Sequence, residues 1–148
     1  MNRVIEEHIN QKRPEGVKVD GTPYNILIVD DSMFIVKQLT QILGSEAYNI
    51  IDTATDGEEG IRKYKELYPK VDLVTLDITM PKKDGLQVLK EVIEFDKEAK
   101  IIMISAIGKQ GFVKEALLLG AKNYIVKPLN REKVLERIKK VINFVSLA

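Results

Sequence analysis

The sequence predicts an α/β domain built on a single parallel sheet, and three observations carry that expectation. Beyond Pro23, short runs rich in Ile and Val alternate with amphipathic segments, which is the signature of repeated βα units. Those runs are apolar enough to be strands covered on both faces. Acidic residues stand directly behind the first and third runs, where a strand end opens into a loop.

Residues 1–23 are polar, contain Pro14, Gly16, Gly21 and Pro23, and show one weak helical spacing, at Ile5 and Ile9. They are expected to form an N-terminal extension outside the core, as a loose tail or as an arm docked on the domain or on a partner. Residues 24–148 are expected to form the domain, with strands at 25–29, 48–53, 71–76, 100–104 and 123–126.

Ser32 is a good N-cap for the first helix, which carries Ile35, Leu39, Ile42 and Leu43 on one face until Gly44. Asp56, with Glu59 three positions on, resembles a capping box for a second helix running through Ile61, Tyr64 and Leu67 to Pro69. Asp84 can cap the third. The fourth is expected within 109–119, with Gly120 past its end, and the fifth after Asn130. In the fifth, Val134, Ile138, Val141, Ile142 and Val145 make one apolar stripe, the spacing a helix needs to cover a sheet.

Composition narrows the function classes. A length of 148 residues suits one domain, and 45% hydrophobic with 30% charged residues is ordinary for a soluble protein. No apolar run approaches the roughly 18 to 20 residues of a membrane span, and the charged N-terminus is no export signal, so a cytoplasmic protein without membrane insertion is expected. The absence of cysteine and the single histidine, His8, exclude a disulfide framework and a multi-histidine zinc site within the chain, so a metal must be held by oxygen. A net charge of +1 gives no drive toward nucleic acid, and the basic residues Arg131, Lys133, Arg137, Lys139 and Lys140 read as a solvated helix face. Asp56, Glu58, Glu59, Lys82 and Lys83 read as cap and surface charges.

The chemistry starts where the carboxylates fall. Asp30 and Asp31 follow the first strand and Asp77 the third. In a doubly wound sheet of flavodoxin-like order 2-1-3-4-5, ligands bind beyond the carboxyl ends at the switch point between strands one and three, so the three acids converge there. Each alone has an ordinary reading as a turn or loop acid; together they repel and call for a cation. Hard oxygen ligands on a partly open site suit Mg²⁺, which takes one or two carboxylates and a phosphate oxygen. Ser105 after the fourth strand and Lys127 after the fifth add a hydroxyl and an ammonium at the same edge. Singly these read as a turn hydroxyl and a solvated charge; jointly they suit phosphoryl transfer to a carboxylate, giving an aspartyl phosphate on Asp77.

Four segments, LIVDDS (27–32), LDITMPKKDG (76–85), MISA (103–106) and YIVKP (124–128), resemble the motifs of the receiver domains of two-component response regulators. The resemblance covers residues 25 to about 144. It implies that Asp77 is the phosphoacceptor for a histidine kinase and that Asp31, Asp77 and the carbonyl of Thr79 coordinate Mg²⁺, with Asp30 acting through a metal-bound water. It further implies that Lys127 pairs with the phosphoryl group, that Lys127–Pro128 is a cis peptide, and that Ser105 and Tyr124 form a conformational switch.

Within that family the likeness is strongest to stand-alone chemotaxis regulators of the CheY type, particularly spirochaete-like versions carrying DSMFIVKQLTQIL (31–43), ITMPKKDG (78–85) and an N-terminal extension. The implied partners are a chemotaxis-type histidine kinase, the flagellar motor switch protein and a separate phosphatase. No output domain is expected after the last helix, so the domain itself is the expected messenger, promoting its own phosphorylation and dephosphorylation without being a turnover enzyme. Thr79 and Ile107 depart from the best-known enteric pattern, which has Asn and Glu there, and both are expected to border the attacking water. A phosphorelay intermediate or a regulator outside motility is the alternative. An aspartyl-nucleophile phosphohydrolase is disfavoured by adjacent Asp30-Asp31 in place of D-x-D and by the lack of a cap segment; a dinucleotide site is disfavoured by VDDS where G-x-G-x-x-G belongs.

Overall fold

The computed structural model describes residues 13–80, 82–106 and 109–143. The readings placed on Ile5, His8, Ile9, Ile107 and Val145 lie outside the described residues. Five strands, β1 (Asn25–Val29), β2 (Asn49–Ala54), β3 (Leu73–Asp77), β4 (Ile101–Ser105) and β5 (Asn123–Val126), alternate with α1 (Met33–Gly44), α2 (Gly57–Leu67), α3 (Gly85–Phe95), α4 (Gln110–Leu119) and α5 (Arg131–Ile142). All neighbouring pairs are parallel, in the order β2-β1-β3-β4-β5, as the sequence predicts.

Helices cover both faces, which is why the central strands β1, β3 and β4 are mostly apolar. On one face Ile61, Tyr64, Val88, Leu89, Val92, Val113 and Ala116 of α2, α3 and α4 pack on Leu27, Val29, Val74, Leu76, Ile101 and Met103. On the other, Leu39 and Leu43 of α1 and Val134, Leu135, Ile138, Val141 and Ile142 of α5 pack on Ile26, Ile28, Ile102, Ile104 and Ile125. A strand that feeds two cores has no polar alternation to display.

Three strand boundaries differ from expectation in one direction. β2, β3 and β4 begin one to two residues later than the apolar runs and end one residue further on, at Ala54, Asp77 and Ser105. The ladder continues through polar side chains because its bonds are made by the backbone: Asp77 is registered with Ile104 and Ser105 with Val126. Opposite β2 the register slips between Ile26 and Leu27, so Ile51 is passed over.

The helix ends follow their caps. Ser32, Asp56, Asp84 and Asn130 each accept a hydrogen bond from the backbone N–H three residues on. The full capping box is at Asp84 and Gln87 rather than at Asp56 and Glu59; Glu59 instead turns to Lys63, 2.9 Å away. Gly120 takes the left-handed conformation at the end of α4 (φ 119), whereas after α1 that conformation falls on Ala47 (φ 61) and not on Gly44.

Residues 14–24 lie against the turn between α1 and β2. The Gly16 N–H donates to the Glu46 carbonyl (2.7 Å), the Tyr24 N–H donates to the Gly16 carbonyl (2.8 Å), and Val17 bridges to Pro23. Gly16 is buried so closely there that a Cβ would stand 2.3 Å from the Tyr48 nitrogen.

Candidate functional site

Four strands end at one edge of the sheet, and between them they deliver the polar groups found there. Asp30 follows β1 with its N–H bonded to the Ala54 carbonyl (2.9 Å), while its Oδ1 accepts from the Ser32 N–H (2.8 Å). This small side-chain turn fixes the carboxylate at the mouth of α1. Asp77 closes β3, Ser105 closes β4, and Lys127 follows β5 with its N–H bonded to the Ser105 carbonyl (2.7 Å). Asp30, Asp77 and Ser105 are buried, and Asp31 and Thr79 are exposed.

Asp30, Asp31 and Asp77 each offer a carboxylate oxygen, and these oxygens all lie within 4.8 Å of one another. The Lys127 ammonium is 3.6 Å from Asp77 Oδ1 and 3.9 Å from Asp30 Oδ2. Among the described residues, one cation thus lies within 4 Å of two of the three acids. Burial, and then the neighbouring Asp30 charge, push the Asp77 carboxyl up to about 6, against the pull of Lys127 and of a hydrogen bond from the Thr79 backbone. Burial also raises Asp30 above the usual carboxylate range. Asp30 Oδ2 is buried without a hydrogen-bond partner among the described residues. A buried oxygen with no donor, inside a cluster of excess negative charge, fits a small hard cation.

Residues 26–139 match the response regulator receiver domain family. The chain belongs to that family.

Its relatives narrow the kind of receiver domain. The chemotaxis protein CheY of Treponema pallidum (strain Nichols) is 61% identical over 134 residues, spanning 90% of this chain and 93% of that protein. The chemotaxis protein CheY of Bacillus subtilis (strain 168) is 45% identical over 120 residues, spanning 81% and 98%. Among solved structures, the CheX–CheY–BeF3–Mg²⁺ complex from Borrelia burgdorferi contains a chain that superposes with a TM-score of 0.86 at 59% identity, covering 90% of this chain and 100% of that one. This receiver domain is therefore closely related to CheY chemotaxis regulators, signalling proteins rather than turnover enzymes, and the spirochaete likeness is borne out. No helix among its described residues is long and apolar enough to cross a membrane.

The fold brings Asp30, Asp31, Asp77, Ser105 and Lys127 to one edge of the sheet. Among the described residues the Ser105 hydroxyl has one long contact, 3.4 Å, to the carbonyl of Ala106. Tyr124, opposite Met103 in the ladder, is half-buried and packs against the α2–α4 side of the core. The Lys127–Pro128 peptide is cis, and so is Tyr68–Pro69.

Four residues have contacts that are not apparent from sequence. Arg137, which reads as part of a solvated face, is half-buried and bonded to the Tyr124 carbonyl (2.9 Å). Lys82 and Asp56 also do more than decorate the surface: their charges pair at 3.5 Å, joining the loop that carries Thr79 to the start of α2. Beside them Gly57 lies beneath Lys83, where a Cβ would stand 2.1 Å from the Lys83 carbonyl oxygen. The only local signal for this last contact is a glycine directly after the cap Asp56.

Proposed function

We propose that this receiver domain accepts a phosphoryl group on Asp77 from a chemotaxis-type histidine kinase and transmits the signal by a change of shape. The observation that carries the reading is the cluster of Asp30, Asp31 and Asp77 with Lys127 beside it, at the switch point of the sheet. Asp77 Oδ1 attacks phosphorus, the bond between phosphorus and the donor imidazole nitrogen breaks, and that nitrogen keeps the electron pair and takes a proton from solvent. Lys127 holds one phosphoryl oxygen by charge, and the Ser105 hydroxyl leaves its weak contact to donate to another. Tyr124 then turns inward behind Ser105.

Asp31, Asp77 and the Thr79 carbonyl are the ligands assigned to Mg²⁺, with Asp30 oriented toward it through water. When bound, the ion supplies charge neutralisation for the phosphoryl oxygens. In support, the Borrelia burgdorferi complex of a similar chain contains Mg²⁺ and BeF3, a group with the shape and charge of a phosphoryl on oxygen. Loss of the phosphoryl group by water attack is assigned to the same pocket, assisted by a separate phosphatase and governed by access past Thr79.

The relatives' names support a chemotaxis role; within that role we assign the protein to the cytoplasm, with the flagellar motor switch protein as its target. Stronger binding to a motor-switch peptide than to a histidine phosphotransfer domain supports that target; the reverse favours a phosphorelay intermediate. The primary test is incubation with Mg²⁺ and acetyl phosphate followed by intact mass measurement. One added phosphoryl group, absent from Asp77→Asn and without Mg²⁺, is expected. Continuous consumption of the donor independent of Asp77 would overturn the reading.

A further inference from the structure

Arg137 stands apart from the other cations of α5. Arg131, Lys133, Lys139 and Lys140 are exposed, while Arg137 is half-buried. It starts on the α1/α5 face of the sheet and reaches around the edge strand β5 toward a residue that belongs to the opposite face. Its Nη1 donates to the Tyr124 carbonyl (2.9 Å) and to Asn123 Oδ1 (3.0 Å), and the guanidinium carbon lies 5.0 Å from the centre of the Tyr124 ring. Asn123 is itself anchored, its Oδ1 accepting from the Tyr124 N–H at 2.8 Å.

The two kinds of contact have different consequences. The hydrogen bonds tie the guanidinium to the backbone of β5, so it cannot follow a side-chain rotation of Tyr124. The ring contact is a cation–π interaction with a half-buried ring, and it is lost when the ring turns away from the guanidinium. Tyr124 sits opposite Met103, and Ser105 lies two residues further along β4 on the same face. A ring turning toward Ser105 leaves Arg137 behind.

We propose that Arg137 is a positioning residue of the switch: fixed to β5, its guanidinium holds the Tyr124 ring in its resting position beside α5 and opposes the turn toward Ser105 that accompanies phosphorylation. This rests on the assignment of Tyr124 as the switch aromatic. A group that stabilises the resting ring position must, by linkage, disfavour phosphorylation to the same degree. A cation–π contact of this exposure corresponds to roughly a two- to fivefold bias between the two ring positions.

The test uses the full chain with ¹³C-labelled tyrosine, the Tyr124 ring signal being assigned with Tyr124→Phe. In the wild type the signal is recorded before and after addition of Mg²⁺ and beryllium fluoride. Arg137→Gln keeps a polar side chain and lacks the cation. It is expected to shift the resting signal toward the beryllium fluoride position and to raise the initial rate of labelling by acetyl phosphate roughly two- to fivefold. Arg137→Lys is expected to return both readouts toward wild type, and thermal melts of each variant separate this from a loosened fold. A wild-type ring signal that does not respond to beryllium fluoride would defeat the switch assignment and this inference together. A ring that responds in the wild type, with Arg137→Gln unchanged in resting signal and rate, overturns the role of Arg137 alone.

Discussion

The Lys127 ammonium lies 3.6 Å from Asp77 Oδ1, close enough to attract it but beyond an ordinary hydrogen bond. That spacing leaves room for a phosphoryl oxygen to draw the ammonium in. It also means that Lys127 competes with any cation the acids bind. Replacing Lys127 with Met is expected to tighten Mg²⁺ binding by roughly three- to tenfold, because a like charge is removed from a partly buried site. The same variant is expected to slow labelling by acetyl phosphate by about a hundredfold, since one charge-assisted contact to the phosphoryl group is lost. Calorimetric titration with Mg²⁺ and mass-spectrometric time courses check the two effects; weaker Mg²⁺ binding in the variant would contradict the electrostatic account.

Acidity at Asp77 makes the metal-free fold pH-dependent. Its carboxyl is raised to about 6 from an ordinary value of 3.8, so the folded state holds this proton more tightly than the unfolded chain does. The corresponding stabilisation is complete below the unfolded value and is lost as pH rises through about 6, and Asp30, also raised, acts in the same sense. Asp52 and Asp56 are lowered and act oppositely, losing their contribution as pH falls. The difference between wild type and Asp77→Asn isolates the one group. Without metal, Asp77→Asn is expected to be the more stable by roughly 1–3 kcal/mol at pH 7, with the gap closing toward pH 4. Urea denaturation at both pH values measures this, and saturating Mg²⁺ is expected to narrow the gap at pH 7.

Gly57 sets how closely the Thr79 loop can sit on α2. A methyl group there would meet the Lys83 carbonyl oxygen at 2.1 Å and the Val88 side chain at 2.8 Å, so Gly57→Ala must push the loop away. The expected cost is about 1–3 kcal/mol of stability, the usual range for overpacking. A fall in Mg²⁺ affinity of about tenfold is expected with it, because the displaced loop carries the Thr79 carbonyl. An affinity equal to wild type under folded conditions would separate this loop from the metal site.

The docked segment is a separate matter. Gly16→Ala is expected to release residues 14–23 from the turn at Glu46, since a Cβ there would stand 2.3 Å from the Tyr48 nitrogen. Faster amide exchange at Gly16 and Tyr24, a loss of roughly 1–3 kcal/mol, and unchanged labelling of Asp77 are expected. Impaired labelling would connect this end of the domain to the site.

Much of this architecture is written in short-range signals. The alternation of Ile/Val runs with amphipathic segments, the caps at Ser32, Asp84 and Asn130, and Gly120 after α4 are all decided within a few residues of chain, where backbone geometry and hydrogen-bond supply act directly. Acids and a lysine directly behind the apolar runs were legible for the same reason, because parallel strands must all end at one edge.

What sequence could not reveal depends on groups far apart in the chain. Asp77 and Ser105 extend their strands because backbone partners on neighbouring strands continue the ladder past the last apolar residue. Asp77 becomes hard to ionise only once burial and Asp30 act on it together. Arg137 looks like its solvated neighbours until β5 brings a carbonyl, an amide oxygen and a ring within its reach. Whether a charge is solvated, paired or seated on a ring follows from packing between elements, and local composition does not specify that packing.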